Sequence, residues 1–360
     1  MLLCLPGLLS CGRRVRETAT HNSPSVSRTS PPAGSETDAK LGFYTTEAVD
    51  DKEYVVIQAD FSDVERSIDT ETLSERMLEF PSEYLNQASY GKLVFEGTMA
   101  GPYKLPKPVG DYKISPINME VDRSRVLDLV NDVINLADAD VVFSEDLYVM
   151  IALGATQAEY GMVGYCAIPG MLGFASDQPI TTQSGEVVAN AVVFCENAHL
   201  GTYIHDTLHM LGGVIDGQRV TPCLYDHELQ AKYIGGQDMP KIVVNMGYRD
   251  PLSSHFPYDR GLPPTGLRSW TKLRLGWIDP AQIALVYPGE TSTLRLDPLV
   301  GDPAEPLVIK IPLSEHTYYL LENRQAVDSD SYLPARRRIV ALRRRPGARM
   351  PGWQSPSKDH

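Results

Sequence analysis

The chain has 360 residues, 42% hydrophobic and 22% charged, which is ordinary globular composition with enough apolar material for one large core or two smaller ones. That composition excludes a disordered or fibrous protein. A formal net charge of -13 and a pI near 5.1 exclude nucleic-acid binding as the main role, because neutralising phosphates needs a basic surface.

Residues 1–16 are expected to be a truncated signal or lipoprotein leader: the first ten are apolar and small, and Leu8-Leu9-Ser10-Cys11 resembles a site where a lipoprotein precursor is cleaved and lipidated on cysteine. The segment lacks a basic start, and a mobile hydrophobic terminus would read the same way. Export to the cell surface or medium, with a lipid anchor at Cys11, is the expectation. Residues 17–51 are rich in Ser, Thr and Pro, including Pro24, Pro31 and Pro32, and read as a flexible tether. No later run of 18 apolar residues exists, so no transmembrane helix is expected.

A folded domain is expected over 52–282. It opens with a β-branched and aromatic strand at 54–61. Residues 70–86 follow as a helix interrupted near Pro81, and 92–96 as a strand after the Ser89-Tyr90-Gly91 turn. Asp122 caps a helix whose Val126, Leu129, Val130, Val133 and Ala137 recur on one face. Residues 140–153 supply more strand, 154–173 read as a Gly-rich stretch, and 189–194 as an apolar strand. Asn197 is then expected to cap a helix over the next residues. Alternating helices and strands predict a mixed α/β domain with a twisted sheet. Residues 283–333 change to short β-like runs and are expected to form a β-rich extension.

After Pro334, eight cations face one acid, a net +7 that leaves -20 in the remainder. Residues 334–360 are read as a disordered basic tail without chemistry; binding an acidic partner or a membrane surface is the alternative.

The chemistry concentrates in His205-Asp206-Thr207-Leu208-His209. Two histidines four apart stand one above the other on a helix, so both imidazoles can reach one ion at about 2.0–2.1 Å. With eight histidines, such a pair arises by chance about 0.2 times, so the spacing alone is weak. Its setting strengthens it. Ile204, Leu208 and Leu211 share one side of the helix and the two histidines the neighbouring sector, and Gly212-Gly213 ends the helix so that a later residue can return toward the ion. Asp216 and Asp226 are the carboxylates within reach.

The chain here resembles the immune inhibitor A-like family of secreted zinc metalloproteases, within the metzincin-like group. Besides the histidine pair, the resemblance rests on Ser89-Tyr90-Gly91-Lys92-Leu93 with Glu96-Gly97, on Lys272-Leu273-Arg274-Leu275-Gly276-Trp277, and on Tyr318-Tyr319-Leu320-Leu321-Glu322-Asn323-Arg324. It covers roughly residues 50 to 325. The resemblance implies an α+β zincin-like fold, a zinc cofactor, and hydrolysis of protein or peptide substrates by a zinc-activated water.

The family pattern H-E-x-x-H-x-x-G-x-x-D carries directly onto His205, His209 and Gly212. Its general-base Glu falls on Asp206, which has the right chemistry but is one methylene shorter, and a base must come within about 2.6–3.2 Å of its proton. Its Asp falls on Ile215, so Asp216 is taken as the third metal ligand if the glycine turn absorbs one residue. Aligning Pro222-Cys223-Leu224-Tyr225-Asp226 with the family's P-D-L-Y-D makes Asp226, Cys223 or His227 the alternatives, in that order of preference for the first two. Met246 resembles the methionine turn beneath the metal, and Tyr248 is a candidate oxyanion donor, although a core methionine and a half-buried tyrosine would read alike. Trp270 and Trp277 either flank the groove or fill the core. Calcium is a further candidate ion through acidic loop residues such as Asp250 and Asp259, with no D-x-D-x-D-G spacing behind it. Cys166, Cys195 and Cys223 allow one disulfide, or three reduced buried thiols. The expected function is that of an exported zinc metalloendopeptidase, with a catalytically impaired, metal-binding surface module as the rival.

Overall fold

A computed structural model describes residues 45–114, 121–173, 180–225, 247–255, 257, 259, 261–301, 306–314 and 317–331, and the backbone of 339–344. Strand β1 (Asp50–Asp60) carries the expected apolar run and starts at Asp50, two residues before the expected domain start. Its side chains alternate between two cores: Val55, Ile57 and Ala59 enter one, Tyr54 and Val56 the other. A strand buried on both faces has to be apolar throughout, which is why this run was legible.

Helix α1 (Thr70–Ser74) is capped by Asp69, whose carboxylate accepts the Thr72 N–H at 2.7 Å. A π-helical turn, Glu75–Glu79, joins it to α2 (Phe80–Ala88), which has Pro81 in its first turn. Pro81 has no N–H to give to the preceding turn, so the interruption is a widened turn and not a break. Strand β2 (Leu93–Lys104) runs well beyond the expected end at 96, paired in parallel with β1 over most of its length. Its outer half is largely exposed, so backbone pairing without an apolar pattern extends it.

A short α3 (Val109–Tyr112) precedes α4 (Arg123–Ala137). Asp122 caps α4 by accepting Ser124 N–H at 3.0 Å, and the five apolar residues of its face are all buried. Strand β3 (Tyr148–Leu153) occupies only the end of the expected 140–153 run. After α5 (Gln157–Tyr160) comes β4 (Gly164–Ile168), a strand inside the stretch read as Gly-rich. Gly164 is required there because a Cβ would stand 2.7 Å from Thr202 Cγ2 and 2.8 Å from Phe194 Cδ1. A small hairpin, β5 (Ile180–Thr181) and β6 (Val187–Val188), leads to β7 (Ala191–Cys195).

These strands form one sheet in the order β2-β1-β3-β7-β4. All neighbours are parallel except β4, which runs antiparallel to β7 at the edge. Helix α4 covers one face; α2 and α6 (Leu200–Gly212) cover the other. A tight hairpin, β8 (Val214–Ile215) and β9 (Gln218–Arg219), follows α6.

Helix α7 (Ser269–Arg274) leads to the second sheet, β10 (Ile283–Leu285), β11 (Val308–Pro312), β12 (Tyr318–Asn323) and β13 (Ile339–Arg344), in that order. Its core of Ile283, Leu299, Leu307, Val308, Tyr318 and Leu320 also takes in Leu273 of α7. Strand β13 lies in the segment read as a disordered tail: its backbone pairs antiparallel with β12 from Tyr318↔Arg344 to Asn323↔Ile339. The Ile339-Val340-Ala341-Leu342 run between two arginine clusters supplies the β-forming sequence that the charge count had obscured.

The fold class is thus α/β with a mixed sheet, a helix bearing the histidine pair on one face, and a β-rich second sheet. Among the described residues no helix is long and apolar enough to cross a membrane.

Candidate metal centre

Helix α6 is buried along nearly its whole length, and Tyr203, Ile204, Leu208 and Leu211 seat it under the sheet. Its N-cap is His199, not Asn197: the His199 ring accepts the Gly201 N–H at 3.0 Å, while Asn197 accepts the Gln157 N–H at 3.0 Å. At its other end Gly213 adopts φ 62°, and its N–H bonds the His209 carbonyl at 3.2 Å.

Both histidines are fully buried and turned the same way. His205 Nδ1 lies 2.8 Å from the Pro251 carbonyl, and His209 Nδ1 lies 2.5 Å from the Thr221 carbonyl. A carbonyl can only accept, so each ring carries its proton on Nδ1 and presents a lone pair at Nε2. The two Nε2 atoms lie 3.0 Å apart. Cys223 Sγ completes the triangle at 3.6 Å from His205 Nε2 and 3.2 Å from His209 Nε2. Ligands held tetrahedrally at zinc distances would be about 3.3 Å (N to N) and about 3.5 Å (N to S) apart, so the spacing matches one shared ion. A cation between them would relieve the repulsion of two acceptor nitrogens at this distance. Among the described residues, His205, His209 and Cys223 are the group whose ligand atoms converge.

Electrostatics agree with this arrangement. Burial, reinforced by His255 and His209, holds the His205 pKa well below its ordinary value, so the ring is neutral and free to coordinate. Burial pushes the Cys223 thiol up to about 11, against a smaller opposing pull from Arg219, so the protein by itself keeps the sulfur protonated. A bound cation would reverse that preference.

Asp216, taken as the third ligand from the sequence, does not join this group. It occupies the β8–β9 turn with φ 50°, followed by Gly217 at φ 70°, and is exposed. Asp-Gly with two positive φ values is the two-residue hairpin turn. That hairpin reverses the chain and returns residues 220–223 to α6, so that Val220 N–H bonds the Gly213 carbonyl at 3.1 Å and Cys223 faces the histidines. Asp226, His227 and Met246 lie outside the described residues.

Asp206 is buried beside His205, on the side of edge strand β4. Burial raises its pKa to about 7, against smaller opposing effects of Arg219 and a hydrogen bond from the Cys166 backbone. Its Oδ2 has no hydrogen-bond partner. Arg219 itself is anchored on the Pro169 carbonyl through Nε at 3.0 Å and Nη2 at 2.6 Å.

Two rings of the site were not anticipated. Partly exposed His255 lies with its centroid 3.9 Å from that of His205, and the Tyr225 ring stacks on His205 at 5.9 Å. Neither carries a sequence signal, since both reach the site from outside α6. Tyr248 is partly buried, with its carbonyl accepting Thr265 Oγ1 at 3.3 Å. Trp277 is fully buried, with Nε1 donating to Ala48 O at 2.6 Å, and serves the core. Asp250 fills its carboxylate with donors of the protein and is a structural carboxylate, while exposed Asp259 accepts the Gly261 N–H at 3.0 Å. Cys166, Cys195 and Cys223 are all free, buried thiols.

No protein-family model and no curated protein matches the chain. Among solved structures it is similar to metalloproteinase-II from Bacteroides fragilis, at 11% identity and a TM-score of 0.36 over 64% of this chain. The match spans 53% of that protein's chain, about half its length. A likeness of this extent transfers neither fold nor function.

Proposed function

We propose that this chain is a zinc metallopeptidase that cleaves peptide bonds at the His205, His209 and Cys223 centre, with Asp206 as general base. The observation that carries it is the convergence of two Nε2 lone pairs and one sulfur, with both Nδ1 atoms turned onto backbone carbonyls. Two imidazoles and a thiolate suit a borderline-soft cation such as zinc and disfavour calcium or magnesium, which take oxygen ligands. Three protein ligands leave a coordination position for substrate or water. A zinc ion bound there supplies Lewis acidity, polarising the scissile carbonyl.

The chain's own residues do the rest. The Pro251 and Thr221 carbonyls hold the two imidazoles in register. Asp206 Oδ2, buried and without a partner, is the atom that takes the proton of the attacking water. The partly exposed His255 ring lies at the rim of this arrangement, beside His205. Membership of the immune inhibitor A-like group, export, and lipid attachment at Cys11 belong to the same proposal and rest on the sequence motifs.

One observation favours the second reading, a metal-binding module with impaired turnover. The Asp206 carboxylate is one methylene shorter than the family's Glu and takes a hydrogen bond from the β4 backbone at Cys166. The test combines metal content of the purified chain with casein cleavage by wild type, His205→Ala and Asp206→Glu. Near-stoichiometric zinc and cleavage lost in His205→Ala support the peptidase. Zinc without cleavage in wild type, with activity gained in Asp206→Glu, supports the impaired module. Absence of zinc under metal-replete conditions overturns both.

A further inference from the structure

We propose that Asp250 is a positioning residue of this centre: its carboxylate shapes the 249–252 turn that orients His205 and also ties down the segment bearing Cys223. The proposal rests on the metal-site reading above. His205 is held by the Pro251 carbonyl, and the next carbonyl, of Leu252, accepts the Leu224 N–H at 2.7 Å, one residue from Cys223. Two successive carbonyls of one turn thus fix the imidazole of one ligand and the backbone beside another.

Asp250 determines where those carbonyls point. It is 1% exposed, and Oδ1 accepts the Leu252 N–H at 2.8 Å, closing a ring around Pro251. Oδ2 accepts the Arg268 N–H at 2.9 Å and the Thr271 hydroxyl at 2.8 Å, which pins the turn to α7. The Asp250 carbonyl accepts the N–H groups of Ser253 and Ser254 at 2.9 and 3.0 Å.

The second sheet holds the preceding residue. Arg324, at the end of β12, donates from Nη1 to the Arg249 carbonyl at 3.1 Å and from Nη2 to the Gly266 carbonyl at 2.9 Å, and is paired with buried Asp330. Burying carboxylates and guanidinium groups is costly, and here part of the cost is offset by bonds that immobilise this turn. The β-rich extension is therefore built into the ligand geometry.

The full chain tests this with Asp250→Asn, which keeps the shape but sets an amide N–H against one of the three donors. Trp277→Phe, a core change that leaves every hydrogen bond of the turn in place, is the control for general destabilisation. Three quantities are read: the zinc dissociation constant by chelator competition, the visible spectrum of the cobalt(II)-loaded protein, and ring 15N shifts of His205 in the metal-free protein. Expected for Asp250→Asn is an affinity loss of roughly 10- to 100-fold, an altered cobalt spectrum, and loss of the fixed Nδ1–H tautomer. Trp277→Phe leaves all three unchanged. Wild-type affinity and spectrum in Asp250→Asn, or an equal loss in Trp277→Phe, overturns the proposal. If wild type takes up no zinc, the metal reading falls, and the positioning role is decided by the His205 tautomer alone: its loss in Asp250→Asn supports the role and its retention overturns it. If Asp250→Asn does not fold, Thr271→Val replaces it, with a loss of zinc affinity and an altered cobalt spectrum expected and no change in either overturning the proposal.

Discussion

Gly212 closes α6 with a helical backbone, so by intrinsic propensity Gly212→Ala should stabilise the helix by about 1 kcal/mol. The tertiary environment predicts the opposite. A Cβ at Gly212 would stand 2.0 Å from Thr221 Oγ1 and 3.0 Å from its Cβ and Cγ2. Thr221 is fully buried and would have to retreat by about 1 Å to restore van der Waals contact. It is held by its hydroxyl, which donates to the Leu208 carbonyl at 2.5 Å, and its own carbonyl holds His209 Nδ1. Overpacking of this kind costs about 1–3 kcal/mol, and a lost hydrogen bond about 0.5–1.5 kcal/mol more, which outweighs the propensity gain. The expected net destabilisation is about 1–3 kcal/mol, with zinc affinity reduced about 10- to 100-fold because the His209 ring loses its orienting carbonyl. Urea unfolding of the metal-free protein and chelator competition measure the two effects. Adding Thr221→Ala, which removes the two contacting side-chain tips but keeps the carbonyl, should recover most of the affinity. A single Gly212→Ala variant that is more stable than wild type and binds zinc equally would refute the packing argument.

Three further variants test the site and the core. Cobalt(II)-loaded wild type should show a thiolate-to-metal charge-transfer band that Cys223→Ser abolishes, while Asp216→Ala leaves zinc affinity unchanged; an affinity loss in Asp216→Ala would restore the carboxylate as third ligand. Lys272 is buried, with Nζ 3.0 Å from the Leu299 carbonyl and 4.0 Å from the Tyr90 ring centroid, and burial, with Arg324 adding to it, lowers its pKa to about 7. Between that value and the ordinary 10.5 the unfolded chain binds more protons than the folded one, so this lysine's cost to stability falls as pH rises, by at most about 1.4 kcal/mol per unit. Lys272→Met should therefore stabilise the protein more at pH 7 than at pH 9 by urea midpoint, and an advantage that does not change with pH would refute the shift.

The α4 face, the apolar run of β1 and the His205–His209 pair were legible in the sequence because each is a pattern within one element, where helix or strand period fixes which side chains share a face. Strand β4 was not, since its glycine answers to the approach of Thr202 and Phe194 and not to a local pattern. The hairpin that places Asp216 carries its signal openly: Asp216-Gly217 between short β-forming pairs is turn chemistry. The sequence by itself therefore determined the helix, its two imidazoles and the point at which the chain turns back. Only the tertiary structure brings Cys223 beside them, because it arrives after a chain reversal, next to Leu224, whose N–H bonds the Leu252 carbonyl from a segment further along the chain, contacts that no local periodicity encodes.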